Sequence, residues 1–145
     1  MRIVVLSQSR TGNTRKAAEM IGGSAEAAGA EVSVHPVTEI DYDALAAADL
    51  VVVGTWCGGL FFFGHHPGDG GVIDKNLPSL HGKPVAAYMT YAHYAGKVMK
   101  RYTKLLERKG VDIVATELLR RDLLPQGVDA FVDRAMDAVE QRSTT

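Results

Sequence analysis

The sequence has little cysteine, no long apolar run and almost no excess charge. Cys57 is the only cysteine, so no disulfide can form within the chain, which favours a reducing compartment. The apolar run near the start, Ile3 to Leu6, is too short for the apolar region of a signal peptide or for a membrane span. A formal net charge of -1 gives no bulk attraction to nucleic acid or to a membrane surface. We therefore expect a cytoplasmic protein with neither as a partner.

Apolar runs alternate with helical patterns along the 145 residues, which suit a single domain, 1–145. Strands are expected at residues 2–7, 31–37, 50–53, 84–88 and 111–119. Helices are expected at residues 13–28, 41–48 and 95–109, and over the apolar stripe from Val128 to Val139. Residues 55–82 show no clear period. This alternation predicts an α/β fold: a five-stranded parallel sheet with helices on both faces, in three layers.

Pro36 sets the expected order of the strands. A proline cannot donate to a strand ladder, so the strand that contains it should lie at a sheet edge. The order 2-1-3-4-5 places this strand outside and puts the switch point between the first and third strands. Ligands of such sheets bind at the carboxyl ends of the strands beside that point. The loops after Leu6, Val53 and Met89 are therefore the candidate site.

The first of these loops is polar and leads into a helix. A helix N-terminus presents backbone N–H groups and a positive dipole end, which suit a phosphate. Gly12 permits close backbone approach, and Arg10 supplies a full charge. The residues expected to hold the phosphate are Ser9, Arg10, Thr11, Gly12, Asn13 and Thr14. An ordinary helix cap is the alternative, since Ser, Thr and Asn are the commonest capping residues.

The pattern Ser9-x-Thr11-Gly12-Asn13-Thr14, between a buried strand and a helix, resembles the phosphate loop of flavodoxins. The resemblance implies the short-chain flavodoxin-like fold and noncovalently bound FMN, with its 5′-phosphate in this loop. Arg10 departs from the family, which usually has an uncharged residue there. The sequence lacks the Walker and dinucleotide glycine motifs, the acidic pair of a receiver domain and the Cys-x5-Arg motif of a small phosphatase.

The segment Gly54-Thr55-Trp56-Cys57-Gly58-Gly59 resembles the flavodoxin segment that places an aromatic ring over the flavin. The resemblance implies contacts with the ring or the ribityl chain from Thr55, Trp56, Cys57 and Gly58. Trp56 offers a flat face for the isoalloxazine ring, and a core tryptophan at a strand end is the alternative. Cys57 lacks a clear histidine partner in the sequence, so we interpret it as a packing residue rather than a nucleophile.

The third loop carries the residues expected to close the other side of the flavin: Thr90, Tyr91, His93 and Tyr94. Either Tyr91 or Tyr94 could take the stacking role that a tyrosine has in flavodoxins. His93 could bond the flavin or act as an acid or base, but a solvated helix cap is the commoner role. The Gly-Asp pair that flavodoxins usually carry here is missing, so a very low potential is not implied.

Two segments lie outside this pattern. The connection from Phe61 to Gly71 is longer than in a typical flavodoxin, and it has no assigned role. It contains His65-His66, but without further ligands nearby two adjacent histidines make a poor metal site, so we expect no metal. The second segment is a set of basic residues at helical spacing, which either form a solvated face or dock an acidic redox partner: Lys97, Lys100, Arg101 and Lys104.

The interpretation preferred from these residues is an FMN-binding electron-transfer protein with no catalytic residue of its own. One alternative is an FMN-dependent oxidoreductase on the same fold, acting on a quinone or a porphyrin precursor. The other is a flavodoxin-like interaction module without flavin. The fold alone does not separate the three.

Overall fold

Strands and helices alternate along the computed structural model, which describes residues 1–9, 12–60, 64–67, 70–92 and 98–143. The strands are β1 (Arg2–Ser7), β2 (Glu31–Pro36), β3 (Leu50–Leu60), β4 (Gly64–Pro67), β5 (Pro84–Tyr91) and β6 (Asp112–Arg120). The helices are α1 (Asn13–Ala27), α2 (Tyr42–Ala47), α3 (Gly70–Asn76), α4 (Val98–Glu107) and α5 (Val128–Ser143).

The main sheet has the order β2-β1-β3-β5-β6, and its five strands are parallel. In chain order these strands are the predicted 2-1-3-4-5, so the predicted fold is confirmed. β2 lies at one edge, as Pro36 required. β4 lies outside this order and forms an antiparallel hairpin with the end of β3.

Two apolar layers cover the faces of the sheet, because successive residues of a strand point to opposite sides. In β1, Ile3 and Val5 pack under α1 and α5, while Val4 and Leu6 pack under α2, α3 and α4. All four side chains are therefore buried, although they are adjacent in sequence. This explains the continuous apolar runs of the central strands, which are typical of parallel sheets.

The central strands extend beyond their predicted ends. β3 continues past residue 53 because Gly54, Thr55 and Trp56 pair with β5 and the following residues pair with β4. β5 continues past residue 88 through its ladder with β6. The prediction that residues 54–59, Thr90 and Tyr91 lie in loops is therefore wrong. β4 and α3 lie within residues 55–82, where the sequence showed no period.

Two adjacent glycines, Gly22 and Gly23, lie inside α1, and packing explains the first of them. A Cβ on Gly22 would lie 2.9 Å from Cγ2 of Val34 in β2, whereas a Cβ on Gly23 would have no neighbour within 4 Å. Gly22 therefore lets α1 approach the edge strand closely. Nothing in the described residues requires glycine at position 23.

The opposite edge, β6, is covered by arginine side chains of α5. Arg134 donates to the Thr116 carbonyl at 2.9 Å and to the Glu117 carboxylate at 3.0 Å. Arg142 pairs with Asp112 at 2.6 Å. Neither edge strand of the sheet is therefore an uninterrupted row of free backbone N–H and C=O groups. None of the helices in the described ranges is both long and apolar enough to cross a bilayer.

Candidate functional site

Backbone hydrogen bonds on both sides fix the position at which the loop after β1 leaves the sheet. The N–H of Gln8 donates to the carbonyl of Gly54 at 2.9 Å, which extends the β1–β3 pairing by one bond. On the other side, the N–H of Val37 donates to the carbonyl of Ser7 at 2.9 Å. The loop therefore begins at the predicted switch point, between the carboxyl ends of β1 and β3.

The start of α1 has the features of an anion site. Gly12 takes a left-handed conformation with φ of 93°, and its N–H donates to Ser9 Oγ at 3.0 Å. Ser9 still has its own hydroxyl proton to donate. Among the described residues, no side chain caps the N-terminus of α1, and its first turn contains no acid. The positive end of the helix dipole therefore has no acid in its own first turn, which favours a bound phosphate.

Thr14, in the first turn of α1, is held from two sides by β5. Its Oγ1 lies 2.8 Å from Oγ1 of Thr90, and its carbonyl accepts from the hydroxyl of Tyr88 at 2.8 Å. All three side chains are buried. Tyr88 and Thr90 are two residues apart, so they point to the same side of the strand. The phosphate loop and the end of β5 are therefore joined directly.

β3 places three of the predicted contact residues at this edge. Thr55 is buried, whereas Trp56 and Cys57 are partly exposed. Trp56 stands opposite Thr90 in the β3–β5 ladder. Cys57 packs against the apolar layer under α4, and burial raises the pKa of its thiol. Its thiol therefore stays protonated near neutral pH, as suits a packing residue.

Two buried tyrosines meet β3 just before these residues. Gly54 stands opposite Tyr88, and a Cβ on Gly54 would lie 1.9 Å from Cζ of that ring. From the other face of the sheet, Tyr102 in α4 donates to the Val53 carbonyl at 2.7 Å. Burial raises the pKa of Tyr88 far above its ordinary value. Burial, and then the nearby Tyr88, also raise the pKa of Tyr102. Both hydroxyls remain donors.

The structure brings together part of the predicted site. The predicted residues that it places at the carboxyl edge of β1, β3 and β5 are Ser9, Gly12, Asn13, Thr14, Thr55, Trp56, Thr90 and Tyr91. Gly58 lies farther along β3, opposite His66 of β4. Arg10, Thr11, His93, Tyr94 and Lys97 lie outside the described residues. In the described ranges, no group of three or more His, Cys, Asp or Glu could hold a metal.

The predicted basic residues Lys100, Arg101 and Lys104 are exposed on α4, opposite its buried stripe of Val98, Tyr102 and Leu106. α4 itself packs beside β4, the strand that forms a hairpin with the end of β3. We call Lys100, Arg101 and Lys104 the basic face.

Sequence reasoning missed two residues that shape the site, Gly54 and Tyr88. Gly54 appeared only as the start of a loop, and Tyr88 only as the end of an apolar strand. A glycine directly after the run Leu50 to Val53 was the available signal. Its meaning depends on the register between β3 and β5, which one strand alone does not reveal.

The described residues fit a ligand with a phosphate at one end and a flat ring at the other. The uncapped start of α1 and the hydroxyl of Ser9 suit the phosphate. The partly exposed Trp56 offers a ring face on the neighbouring strand. FMN has both parts.

Comparison with known proteins shows the family and the fold of the chain. The sequence profile of the flavodoxin domain matches residues 4–134. No curated protein matches the sequence significantly. The structure of the two-electron reduced flavodoxin of Megasphaera elsdenii has a TM-score of 0.73 and 21% identity, over 95% of this chain and 98% of that chain.

Two further solved structures share the fold. A flavodoxin, WrbA-like protein from Agrobacterium tumefaciens has a TM-score of 0.72 and 17% identity, over 99% of each chain. The rubredoxin oxygen:oxidoreductase of Desulfovibrio gigas has a TM-score of 0.70 and 16% identity, over 99% of this chain and 36% of that chain. At these identities the structures establish the fold, while the profile match covers most of the chain: the protein belongs to the flavodoxin domain family.

Proposed function

We propose that this protein binds one FMN at the carboxyl edge of β1, β3 and β5 and carries electrons between redox partners. The observation that carries the proposal is the start of α1. There, a left-handed Gly12 opens a helix that has no side-chain cap and no acid in its first turn, beside the switch point. An anion with a flat ring attached fits this position better than a dinucleotide, whose glycine motif is missing from the sequence.

The chain's own residues bind and orient the ligand. The backbone N–H groups at the start of α1, with Ser9 and the predicted contacts Arg10, Thr11, Asn13 and Thr14, hold the phosphate. Trp56 covers one face of the ring, and Thr55, Cys57 and Gly58 border it along β3. Tyr91, His93 and Tyr94 close the other side together with Thr90. When bound, FMN supplies one- or two-electron chemistry, and the protein tunes it through the surroundings of the ring.

The basic face on α4 is the proposed docking surface for a redox partner. Lys97, which the sequence assigns to the same set, lies outside the described residues. Its described residues are exposed, and α4 packs beside the hairpin that begins at Cys57. A partner with an acidic surface would be attracted and oriented by these charges. The proposed partner is therefore a redox protein with an acidic surface.

The first test is the visible spectrum of the purified protein, followed by titration with FMN. Trp56 is the only tryptophan, so its fluorescence reports on the site directly. We expect flavin absorbance bands and quenching that saturates at one FMN per chain. A colourless protein that ignores excess FMN would refute the proposal and favour the flavin-free interaction module.

A second measurement separates a carrier from an enzyme. The FMN-loaded protein, supplied with a nicotinamide hydride donor and a quinone, should turn over slowly or not at all. It should still exchange electrons rapidly with an acidic redox protein. Fast quinone reduction would overturn the carrier function and favour an FMN-dependent oxidoreductase, while FMN binding itself would stand.

A further inference from the structure

We propose that Tyr88 is a positioning residue for the phosphate of the ligand: its hydroxyl fixes the first turn of α1 and thereby favours phosphorylated over unphosphorylated flavin. The inference rests on the proposed function and deepens it. Tyr88 does not touch the ligand in this scheme. It acts through Thr14, whose carbonyl accepts from the Tyr88 hydroxyl at 2.8 Å.

The position of Tyr88 is tightly constrained. Its side chain is fully buried, and its ring makes an edge-on contact with Phe131, with the centroids 6.2 Å apart. Gly54 on the neighbouring strand leaves the space through which the ring passes, since a Cβ there would overlap it. A buried tyrosine hydroxyl needs an acceptor, and this one reaches across β3 to the carbonyl of Thr14.

The carbonyl of Thr14 belongs to the same peptide unit as the N–H of Arg15. That N–H lies in the first turn of α1. The next N–H, that of Lys16, donates to the carbonyl of Gly12 within the helix. A helix leaves the N–H groups of its first turn without intrahelical acceptors, and these are the groups that bind anions. A donor on the carbonyl polarises the peptide, so the N–H on its other side becomes a stronger donor toward a phosphate.

Thr90 adds a second link to the same residue. Its hydroxyl lies 2.8 Å from the hydroxyl of Thr14, so β5 holds both the main chain and the side chain of Thr14. Binding sites gain affinity when their groups are held in place before the ligand arrives. Loss of the Tyr88 hydroxyl should therefore weaken the contact with phosphate and spare the contact with the ring.

Tyr102 provides a matched control. It is also fully buried, and its hydroxyl also donates to a backbone carbonyl, that of Val53 at 2.7 Å. It approaches from the other face of the sheet and has no bond to α1 among the described contacts. Tyr88→Phe and Tyr102→Phe therefore remove the same chemical group from two equally buried places.

The experiment measures the affinities of wild type and both variants of the full chain for FMN and riboflavin by calorimetry. Urea unfolding without flavin shows how much stability each variant has lost. We expect Tyr88→Phe to lower the ratio of FMN to riboflavin affinity about fivefold, the size of one hydrogen bond. Tyr102→Phe should leave the ratio unchanged, even if it costs the same stability.

The outcomes are distinct. If wild type binds FMN but Tyr88→Phe weakens both flavins by equal factors, the positioning role is refuted and the proposed function stands. If wild type binds neither flavin, both fail. Should Tyr88→Phe alone not fold, both tyrosine variants are measured in a Gly23→Ala background, where the added Cβ meets no neighbour and the helix gains stability. An unchanged ratio for Tyr88→Phe in that background would likewise overturn the inference.

Discussion

Gly54 of β3 and Tyr88 of β5 stand directly opposite each other, and the tyrosine ring occupies the space that a side chain on Gly54 would need. A Cβ at position 54 would lie 1.9 Å from Cζ and 2.4 Å from the hydroxyl oxygen of Tyr88. Because both residues are at the centre of the sheet, neither backbone can move aside without breaking ladder bonds.

Gly54→Ala should therefore destabilise the protein by at least about 3 kcal/mol, since it overpacks a buried site against a ring. Gly23→Ala is the control, because a Cβ there has open space within α1. It should stabilise the protein by about 0.5–1 kcal/mol through helix propensity. Urea unfolding of the two variants checks both values. A Gly54→Ala protein as stable as wild type would contradict the described packing.

Gly12→Ala should weaken FMN binding about tenfold while affecting riboflavin less, because it strains the start of the phosphate site. Gly29→Ala is its matched control at the other end of α1. Both glycines have left-handed φ values, 93° and 97°, with no neighbour within 4 Å of an added Cβ. Both changes should cost about 1–2 kcal/mol of stability, but only the first should change the FMN to riboflavin ratio. If calorimetry gives both variants the same FMN to riboflavin affinity ratio, the phosphate does not bind at this loop.

Trp56→Leu should weaken FMN and riboflavin by the same factor, since the proposed contact of Trp56 is with the ring that both ligands share. The loss should be about tenfold, the order of one lost aromatic stack. Titration followed by flavin fluorescence measures it without the tryptophan signal. A loss confined to FMN would mean that Trp56 contacts the phosphate end instead.

Stability should fall in alkaline solution above pH 10.0, the ordinary pKa of tyrosine, because the folded state raises the pKa of Tyr88 and Tyr102. The unfolded chain releases these protons while the folded protein keeps them, so rising pH favours unfolding. Below that pH the contribution is fully present. The double variant Tyr88→Phe/Tyr102→Phe should show a shallower decline in urea unfolding above about pH 10. A decline as steep as that of wild type would assign the effect to other groups.

Lys104→Glu should slow electron exchange with a small acidic redox protein several-fold at low ionic strength, and the wild-type rate should fall as salt is added. Arg2→Glu changes the net charge equally at the amino end of the sheet, where Arg2 is exposed beside Glu31. Stopped-flow rates for both variants test the basic face. Equal slowing would indicate a general charge effect rather than docking on α4.

The order of the sheet was predictable because its causes are local. Pro36 forces its strand to an edge, and the buried runs of β1 and β3 require helices on both faces. The ends of β3 and β5 were not predictable, because their last residues are held by partner strands rather than by their own pattern. The β3–β4 hairpin is built partly from glycines, whose sequence carries no alternation.

The candidate site, like the fold, was predictable from the sequence only in part. The residue types of the polar loop before α1 are enough to indicate an anion site. Gly12 takes the left-handed conformation that such a turn needs. The links from Tyr88 and Thr90 to Thr14 join residues more than 70 positions apart. No spacing in one sequence indicates such a contact, because it depends on how three strands and a helix align.

The two outer strands also determine how the sheet meets other molecules. Pro36 has no N–H to offer a strand that approaches β2. At β6, an incoming strand would have to displace Arg134 from the Thr116 carbonyl and would meet the ion pair of Arg142 with Asp112. An open parallel sheet is a template for edge-to-edge aggregation, and proline and charge at its margins are the means by which proteins prevent it. The same arginines that join α5 to the sheet therefore also help to keep separate molecules from joining through it.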